Sequence, residues 1–278
     1  MTARLVVEDL RVRYPTPSRV VDAVRGVSFA VSREKVGLVG ESGSGKSTVG
    51  RAILRLIQKP GEISARVLSF DGIDILSASD ATMRELRGRR IAMVMQDPKF
   101  SLNPVMTVGR QIREAWRAHA RGGRHAAERK ALEVLEAVKI RDPERVYRCY
   151  PHEISGGMGQ RVMIAMMLVA DPDLLIADEP TSALDVTVQM QVLAILDDLV
   201  TSRGLGLIFI SHDLNLVASF CDRVLIMYAG RVVETCAADR LNDAAHPYTR
   251  GLLAALPQVD REPGPLPVLE RDPAWLDG

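Results

Sequence analysis

Gly40-Glu41-Ser42-Gly43-Ser44-Gly45-Lys46-Ser47 follows directly on an apolar run, Val36-Gly37-Leu38-Val39. The spacing is Gly-x-x-x-x-Gly-Lys-Ser, and the chemistry it fits is the cradling of a di- or triphosphate. Such a loop must wrap close to its ligand and aim backbone N–H groups at it, and Gly43 and Gly45 permit the dihedrals and the approach. Lys46 places a point charge between the outer phosphates. Ser47 offers a hydroxyl to Mg²⁺, and a helix opening near Lys46 adds its positive end. The phosphate-binding set is therefore Gly40, Ser42, Gly43, Ser44, Gly45, Lys46, Ser47 and Thr48. A turn rich in Gly and Ser for flexibility alone does not explain a lysine–serine pair opening an amphipathic helix. In that helix Thr48, Val49, Ala52, Ile53 and Leu56 form the expected apolar face.

Further groups sit where strands are expected to end. Asp178-Glu179 follows the apolar run Leu174-Leu175-Ile176-Ala177. Successive side chains diverge at a strand end, so the two acids divide the work. Asp178 is expected in the metal shell and Glu179 beside the attacking water. Two acids satisfying loop N–H groups is the plain alternative. Gln96, after Ile91–Met95, has an amide that can bind Mg²⁺ or a water and report nucleotide state; a surface glutamine before a turn is the plain alternative. His212, after Leu205–Ile210, can bond a γ-phosphate or position acid and water; the alternative is a packed histidine. Ser155-Gly156-Gly157 precedes another helix start, a second potential anion nest. One nucleotide hardly needs two nests from one chain, so a second copy facing the first would supply one across the pair.

These groups need elements to hold them. Over 278 residues one to two domains are expected, and 47% hydrophobic residues suffice for a core. With 36 Lys+Arg against 35 Asp+Glu there is no broadly basic nucleic-acid footprint. Cys149, Cys221 and Cys236 are widely spaced, which fits neither a disulfide framework nor a paired metal motif and points to a reducing compartment. No secretion segment opens the chain, and no apolar run approaches the roughly 20 residues of a membrane span.

The order of elements reads as follows. Residues 4–13 are expected as a strand, with Leu5, Val7, Leu10 and Val12 as its apolar set, and 20–31 as two short strand pieces. With 63–76, turned at Asp71-Gly72, they form an antiparallel sheet beside the phosphate loop. Residues 80–90 read as a charged helix. From Val108 to Tyr150 helical patterns dominate, interrupted by Arg121-Gly122-Gly123. A helical subdomain over roughly 97–170 is thus inserted in an α/β core with a mostly parallel sheet. In such a sheet ligands bind at the carboxyl ends of strands. Val224–Tyr228 and Arg231–Glu234 make a hairpin around Ala229-Gly230, helical pieces follow over 238–256, and the Pro-rich tail 258–278 lies along the surface. The whole of 1–257 is read as one nucleotide-binding domain.

Taken together, these motifs resemble the ATP-binding subunits of ABC transporters, over nearly the whole chain, and most closely the oligopeptide/dipeptide/nickel importer branch. Gly40 to Thr48 matches the Walker A motif and Leu174 to Asp178 the Walker B strand. Glu179 matches the family's catalytic glutamate, Gln96 the Q-loop and His212 the switch histidine. Ser182-Ala183-Leu184-Asp185 matches the D-loop, Ser155 to Gln160 the signature, and Tyr14 the adenine-stacking aromatic. The branch rests on Ser101-Leu102-Asn103-Pro104 and on His246-Pro247-Tyr248-Thr249-Arg250. Met158 stands for the general signature's glutamine, Gly159 for the branch's usual arginine, and Lys35 where a glycine–glutamate turn is usual. Many peptide-type relatives carry a longer C-terminal extension, some with several clustered cysteines for an iron–sulfur centre. None follows Cys236 here, so no iron–sulfur centre of that kind is expected.

The resemblance implies an ATPase using ATP and Mg²⁺, in which two subunits face head to tail and each ATP lies between Lys46 of one and Ser155-Gly156-Gly157 of the other. It implies a paralogous or identical ATP-binding partner, two integral membrane permease subunits, an extracytoplasmic solute-binding protein acting indirectly, and no nucleic acid. The expected place is the cytoplasmic face of the inner membrane, as a peripheral subunit. The solute is left open between peptides and nickel or metal chelates. Two other classes compete: a soluble ABC-type ATPase of DNA repair or translation, which usually carries two nucleotide domains or a long coiled coil, and a P-loop kinase, which needs an acceptor-binding lid. One P-loop and no sustained heptad repeat speak against the first.

Overall fold

The computed structural model describes residues 4–95, 102–182 and 184–255, together with 272 and 275. The chain divides into two compact units, Met1–Val31 with Lys35–Leu76 and Phe209–Gly278, and Ser32–Glu34 with Ser77–Ile208.

In chain order, strands β1 (Leu5–Pro15), β2 (Val20–Val31) and β3 (Lys35–Val39) lead into helix α1 (Lys46–Ile53). Three short strands follow, β4 (Glu62–Ser64), β5 (Val67–Phe70) and β6 (Ile73–Asp74). Then come α2 (Asp80–Leu86), β7 (Ile91–Val94) and the helices α3 (Val108–His119), α4 (Arg124–Ala137), α5 (Pro143–Arg148) and α6 (Gly156–Leu168). The chain continues with β8 (Leu174–Asp178), α7 (Val186–Arg203), β9 (Gly206–Ser211), α8 (Leu214–Phe220), β10 (Arg223–Tyr228), β11 (Arg231–Ala237) and α9 (Pro247–Ala255).

The first unit holds an antiparallel sheet in the order β2-β1-β5-β6, with β4 also pairing β1. Leu5, Val7, Leu10 and Val12, the alternating set of β1, are all buried, which is the period-2 signature of a half-buried strand. β2 is one strand of 12 residues rather than two pieces. It pairs with β1 along its length, and register shifts near Leu10 and between Val12 and Arg13 absorb its irregularities, so tertiary pairing overrides the local break. Asp71 and Gly72 both take positive φ, 45° and 80°, between Phe70 and Ile73, the backbone of a two-residue hairpin turn.

The same unit carries β3 parallel to β10, and β10 antiparallel to β11. Val36, Leu38 and Val39 are fully buried. A Cβ on Gly37 would come 2.2 Å from Val217 Cγ1, so α8 lies close on β3. Phe209 is fully buried and its ring meets Phe220 at 5.1 Å. Helix α1 stops earlier than its apolar pattern reads. Arg55 takes a left-handed φ of 49° just past the end, and Leu56, expected on the apolar face, is 45% exposed.

The second unit pairs β7 and β8 in parallel, and every residue of both strands is buried. Arg90 and Asp173, at the entrances to these strands, form an ion pair. Helices α3 to α6 make the helical part; a Cβ on Gly109 would fall 2.2 Å from the Tyr147 ring, so α3 and α5 approach closely. Residues 80–90 are helical only to Leu86, because Gly88 turns the chain with a φ of 78°. Among the described residues no helix is long and apolar enough to cross a membrane.

Phe209→Ala is expected to lower unfolding free energy by about 3–5 kcal/mol, through lost burial and the cavity left behind. Denaturant melts of the full chain measure this, and a loss below about 1 kcal/mol would show that the ring is not central to its core.

Candidate functional site

β3 ends at Val39, and after six residues the chain enters α1 at Lys46. The loop between them is shaped by close backbone approach. Gly40 has φ 156°, and a Cβ there would sit 2.1 Å from the Met227 carbonyl oxygen. Gly45 has φ 101°, and its Cβ would fall 2.5 Å from the Ala23 carbonyl oxygen. Neither position admits a side chain without moving backbone. Over Gly43, by contrast, nothing lies within 4 Å of a built Cβ. The loop is therefore walled below by β2 and β10 and open above Gly43. The Gly230 N–H donates to the Ser44 carbonyl at 3.0 Å, and the Arg25 N–H to the Gly230 carbonyl at 2.7 Å, which ties the loop to the β10–β11 turn and to β2.

Lys46 is only 5% exposed. Its Nζ donates to the carbonyl oxygens of Gly40 at 2.7 Å and Glu41 at 2.8 Å, and to Ser44 Oγ at 3.3 Å. A buried ammonium costs heavily unless each N–H finds an acceptor, and these contacts hold it inside the hollow of the loop. Ser42 is exposed, while Ser47 and Thr48 are half-buried on the first turn of α1. The hydroxyl of Tyr248, 207 residues away in sequence, accepts the Glu41 N–H at 3.2 Å. His212 is exposed just past β9 in the same unit. There the Asp213 N–H donates to Ser211 Oγ at 3.0 Å and Asp213 caps α8. Tyr14 is half-buried near the end of β1, and its Cε1 would meet a Cβ on Gly61 at 2.8 Å.

The second unit holds the acids. Asp178, the last residue of β8, is 3% exposed. Glu179 leaves the strand with a φ of 48°, a left-handed conformation that a non-glycine residue occupies only when its surroundings enforce it. Here the enforcing contacts are visible. The Glu179 carbonyl accepts the Ser182 N–H at 3.1 Å and Ser182 Oγ at 2.9 Å. The next carbonyl, that of Pro180, accepts Gln160 Nε2 at 2.6 Å, and Gln160 is 1% exposed.

Gln160 belongs to α6, whose start is the Ser155-Gly156-Gly157 segment. Ser155 Oγ accepts the Met158 N–H at 3.3 Å as the helix N-cap. A Cβ on Gly157 would fall 2.6 Å from Val188 Cγ1, and Val188 in turn donates its N–H to Asp185 Oδ1 at 3.0 Å. Asp185 thus caps α7, while Gly157 lets α7 approach α6.

Within the first unit the structure brings the whole Gly40–Thr48 set into one loop and helix start; within the second it links Glu179, the Ser155 segment and Asp185 through Gln160, Ser182 and Val188. Gln96 lies outside the described residues. Tyr248 and Gln160 were not among the residues assigned a role from the sequence. Tyr248 falls in the His246–Arg250 stretch and Gln160 in the Ser155–Gln160 stretch, but contacts spanning 207 and 20 residues leave no local pattern that assigns either side chain its partner.

The arrangement fits a magnesium-bound nucleoside triphosphate. The glycine-walled loop leaves room over Gly43, the Lys46 ammonium is already held where phosphate oxygens would outcompete neutral carbonyls, and the Ser47 hydroxyl stands at the helix start. A hydroxyl oxygen is a hard donor of the kind that Mg²⁺ takes.

Residues 24–182 match the family model described as ABC transporter. The chain is 47% identical over 263 residues to the oligopeptide transport ATP-binding protein OppD of Bacillus subtilis (strain 168), covering 94% of this chain and 74% of that protein. It is 46% identical over 258 residues to the dipeptide transport ATP-binding protein DppD of Haemophilus influenzae, covering 92% and 78%. Among solved structures, the dimeric MJ0796, a bacterial ABC transporter cassette, superposes with a TM-score of 0.74 at 28% identity, covering 84% of this chain and 98% of that one. A dimeric post-hydrolysis state of the same cassette, bound to ADP and Pi, also gives 0.74, at 27% identity with the same coverage.

Lys46→Ala is expected to weaken Mg-ATP binding to the full chain by about tenfold or more, because it removes charge-assisted hydrogen bonds. Titration calorimetry reads this directly, and an unchanged affinity would contradict the loop's assignment.

Proposed function

The chain belongs to the ABC transporter family as an ATP-binding, ATP-hydrolysing subunit, and from that premise we propose that it powers the import of peptides through partner permease subunits. The observation that carries the reading is the buried Lys46 ammonium inside a glycine-walled loop at the end of β3. Relatives named for oligopeptide and dipeptide transport support a peptide cargo over nickel or a metal chelate, and over a soluble repair ATPase or a kinase.

In this reading Gly40, Ser42, Gly43, Ser44, Gly45, Lys46, Ser47 and Thr48 hold the phosphates of ATP, and Tyr14 offers a ring to the base. Lys46 exchanges its carbonyl partners for phosphate oxygens. Ser47, Asp178 and Gln96 are the residues that would hold Mg²⁺, and the ion when bound would supply neutralisation of charge on the outer phosphates. Glu179 orients the attacking water and takes its proton, and His212 steadies water and γ-phosphate. Glu179 follows β8 in a left-handed backbone conformation, φ 48°, directly after Asp178 at the strand's last position. Ser155, Gly156 and Gly157 face the nucleotide of a second ATP-binding subunit, identical or paralogous, with Asp185 at the same boundary. The dimeric cassettes of like fold support this pairing.

The nucleotide-binding domain spans 1–257, with a helical subdomain over roughly 97–170 that meets the permeases; 258–278 is a Pro-rich tail. The assembly comprises two ATP-binding subunits, two integral membrane permeases and an extracytoplasmic solute-binding protein, with this chain peripheral on the cytoplasmic face. No step involves nucleic acid.

Glu179→Gln in the assembled transporter is expected to keep ATP binding and to lose about a hundredfold or more in turnover. Undiminished hydrolysis would remove Glu179 from its role. Co-purification of the chain with two integral membrane proteins tests the assembly, and recovery with ribosomes or DNA instead would refute it.

A further inference from the structure

We propose that Tyr248 is a positioning residue for the phosphate-binding loop. It orients the Gly40–Glu41 peptide, and through it Lys46, so that the C-terminal part of the domain sets nucleotide affinity. The inference rests on the reading of Gly40–Thr48 as the ATP site.

One peptide unit is gripped from both sides. Its carbonyl, that of Gly40, accepts Lys46 Nζ at 2.7 Å. Its N–H, that of Glu41, donates to the Tyr248 hydroxyl at 3.2 Å. In a trans peptide the carbonyl and N–H point in opposite directions. The two bonds therefore fix the plane's orientation, and a rotation that loosens one disturbs the other. Gly40 cannot relieve the constraint by shifting towards β10, since the Met227 carbonyl already occupies the place a Cβ would take.

Tyr248 is itself held firmly. It is fully buried, and its ring meets that of Tyr228 at 4.5 Å and that of Trp275 at 5.9 Å. Its N–H donates to His246 Nδ1 at 3.2 Å. The N–H groups of Ala245 and His246 donate to Glu234 Oε1, at 2.7 Å and 3.3 Å, which fixes the start of α9 to β11. A route of direct contacts thus runs from β11 through the His246-Pro247-Tyr248 segment to the loop. The matched family model ends at residue 182 and so does not include this support.

The adjacent Thr249 supplies a built-in control. It is also fully buried, yet its Oγ1 has no hydrogen-bond partner among the described residues. Thr249→Val perturbs the same turn of α9 without touching the Glu41 N–H.

The test is Tyr248→Phe in the full chain, with Mg-ADP binding measured by calorimetry and steady-state ATP turnover measured in the assembled transporter. The Phe ring keeps the ring packing and removes the hydroxyl that accepts the Glu41 N–H. Kd for Mg-ADP is expected to rise about threefold to tenfold, and KM for ATP to rise with it. The value of kcat should stay within about twofold and the melting midpoint within about 2 °C, while Thr249→Val leaves Kd unchanged. An unaltered Kd in Tyr248→Phe overturns the proposal. So does an equal loss in Thr249→Val, or a loss that appears only with a large drop in melting midpoint. Lys46→Ala, measured alongside, separates the two readings. If it binds Mg-ADP normally, the ATP-site assignment itself fails, whereas normal binding by Tyr248→Phe alone removes only the role of Tyr248.

Discussion

An ammonium group with almost no access to water has to be surrounded by oxygen, and the first unit is arranged around meeting that demand for Lys46. The carbonyls of Gly40 and Glu41 and the Ser44 hydroxyl, from its own loop, accept its N–H groups. The loop can curl back far enough to offer them only because Gly40 and Gly45 lie against the carbonyls of Met227 and Ala23, where no side chain fits. Those carbonyls belong to β10 and β2, so sheet pairing comes first and the loop is shaped against it. The result is a concentrated positive charge held inside the loop, where a phosphate oxygen can claim it.

The second unit shows the same economy with a carboxylate. β8 delivers Asp178 to the end of a fully buried strand, and the chain then turns through a left-handed residue at Glu179. That conformation is costly alone. It persists because Ser182 binds the Glu179 carbonyl and the buried Gln160 binds the Pro180 carbonyl. Gln160 lies one turn into the helix that Ser155 caps. The segment assigned to a second subunit's nucleotide and the residue assigned to hydrolysis are thus held by one side-chain amide. This places the two assigned groups on directly hydrogen-bonded segments.

What was legible in the sequence followed from how local each signal is. The Gly-x-x-x-x-Gly-Lys-Ser spacing, the alternation of β1, the Asp71-Gly72 turn and the buried runs of β3, β8 and β9 are short-range patterns, and each appears in the structure. Boundaries were less legible. The unbroken β2 depends on partners in β1 rather than on its own residues, and the early end of α1 depends on Arg55 taking a positive φ. Least legible were contacts between distant segments. Tyr248 stood in a stretch that marked kinship, but its contact with Glu41 becomes visible only when α9 and the loop are seen side by side. Gln96 lies outside the described residues, and its role rests on the motif.

The central claim is that the loop around Lys46 grips the outer phosphates of ATP while the Ser155 segment of a second subunit closes over them. A structure of the assembled transporter with a magnesium-bound, non-hydrolysable ATP analogue tests it most directly. The account predicts phosphate density within hydrogen-bond distance of Lys46 Nζ and of the Gly43 to Ser47 backbone, with the facing subunit's signature serine and glycines across the γ-phosphate. An analogue bound elsewhere, or a Ser155 segment far from any nucleotide in the closed pair, would contradict it.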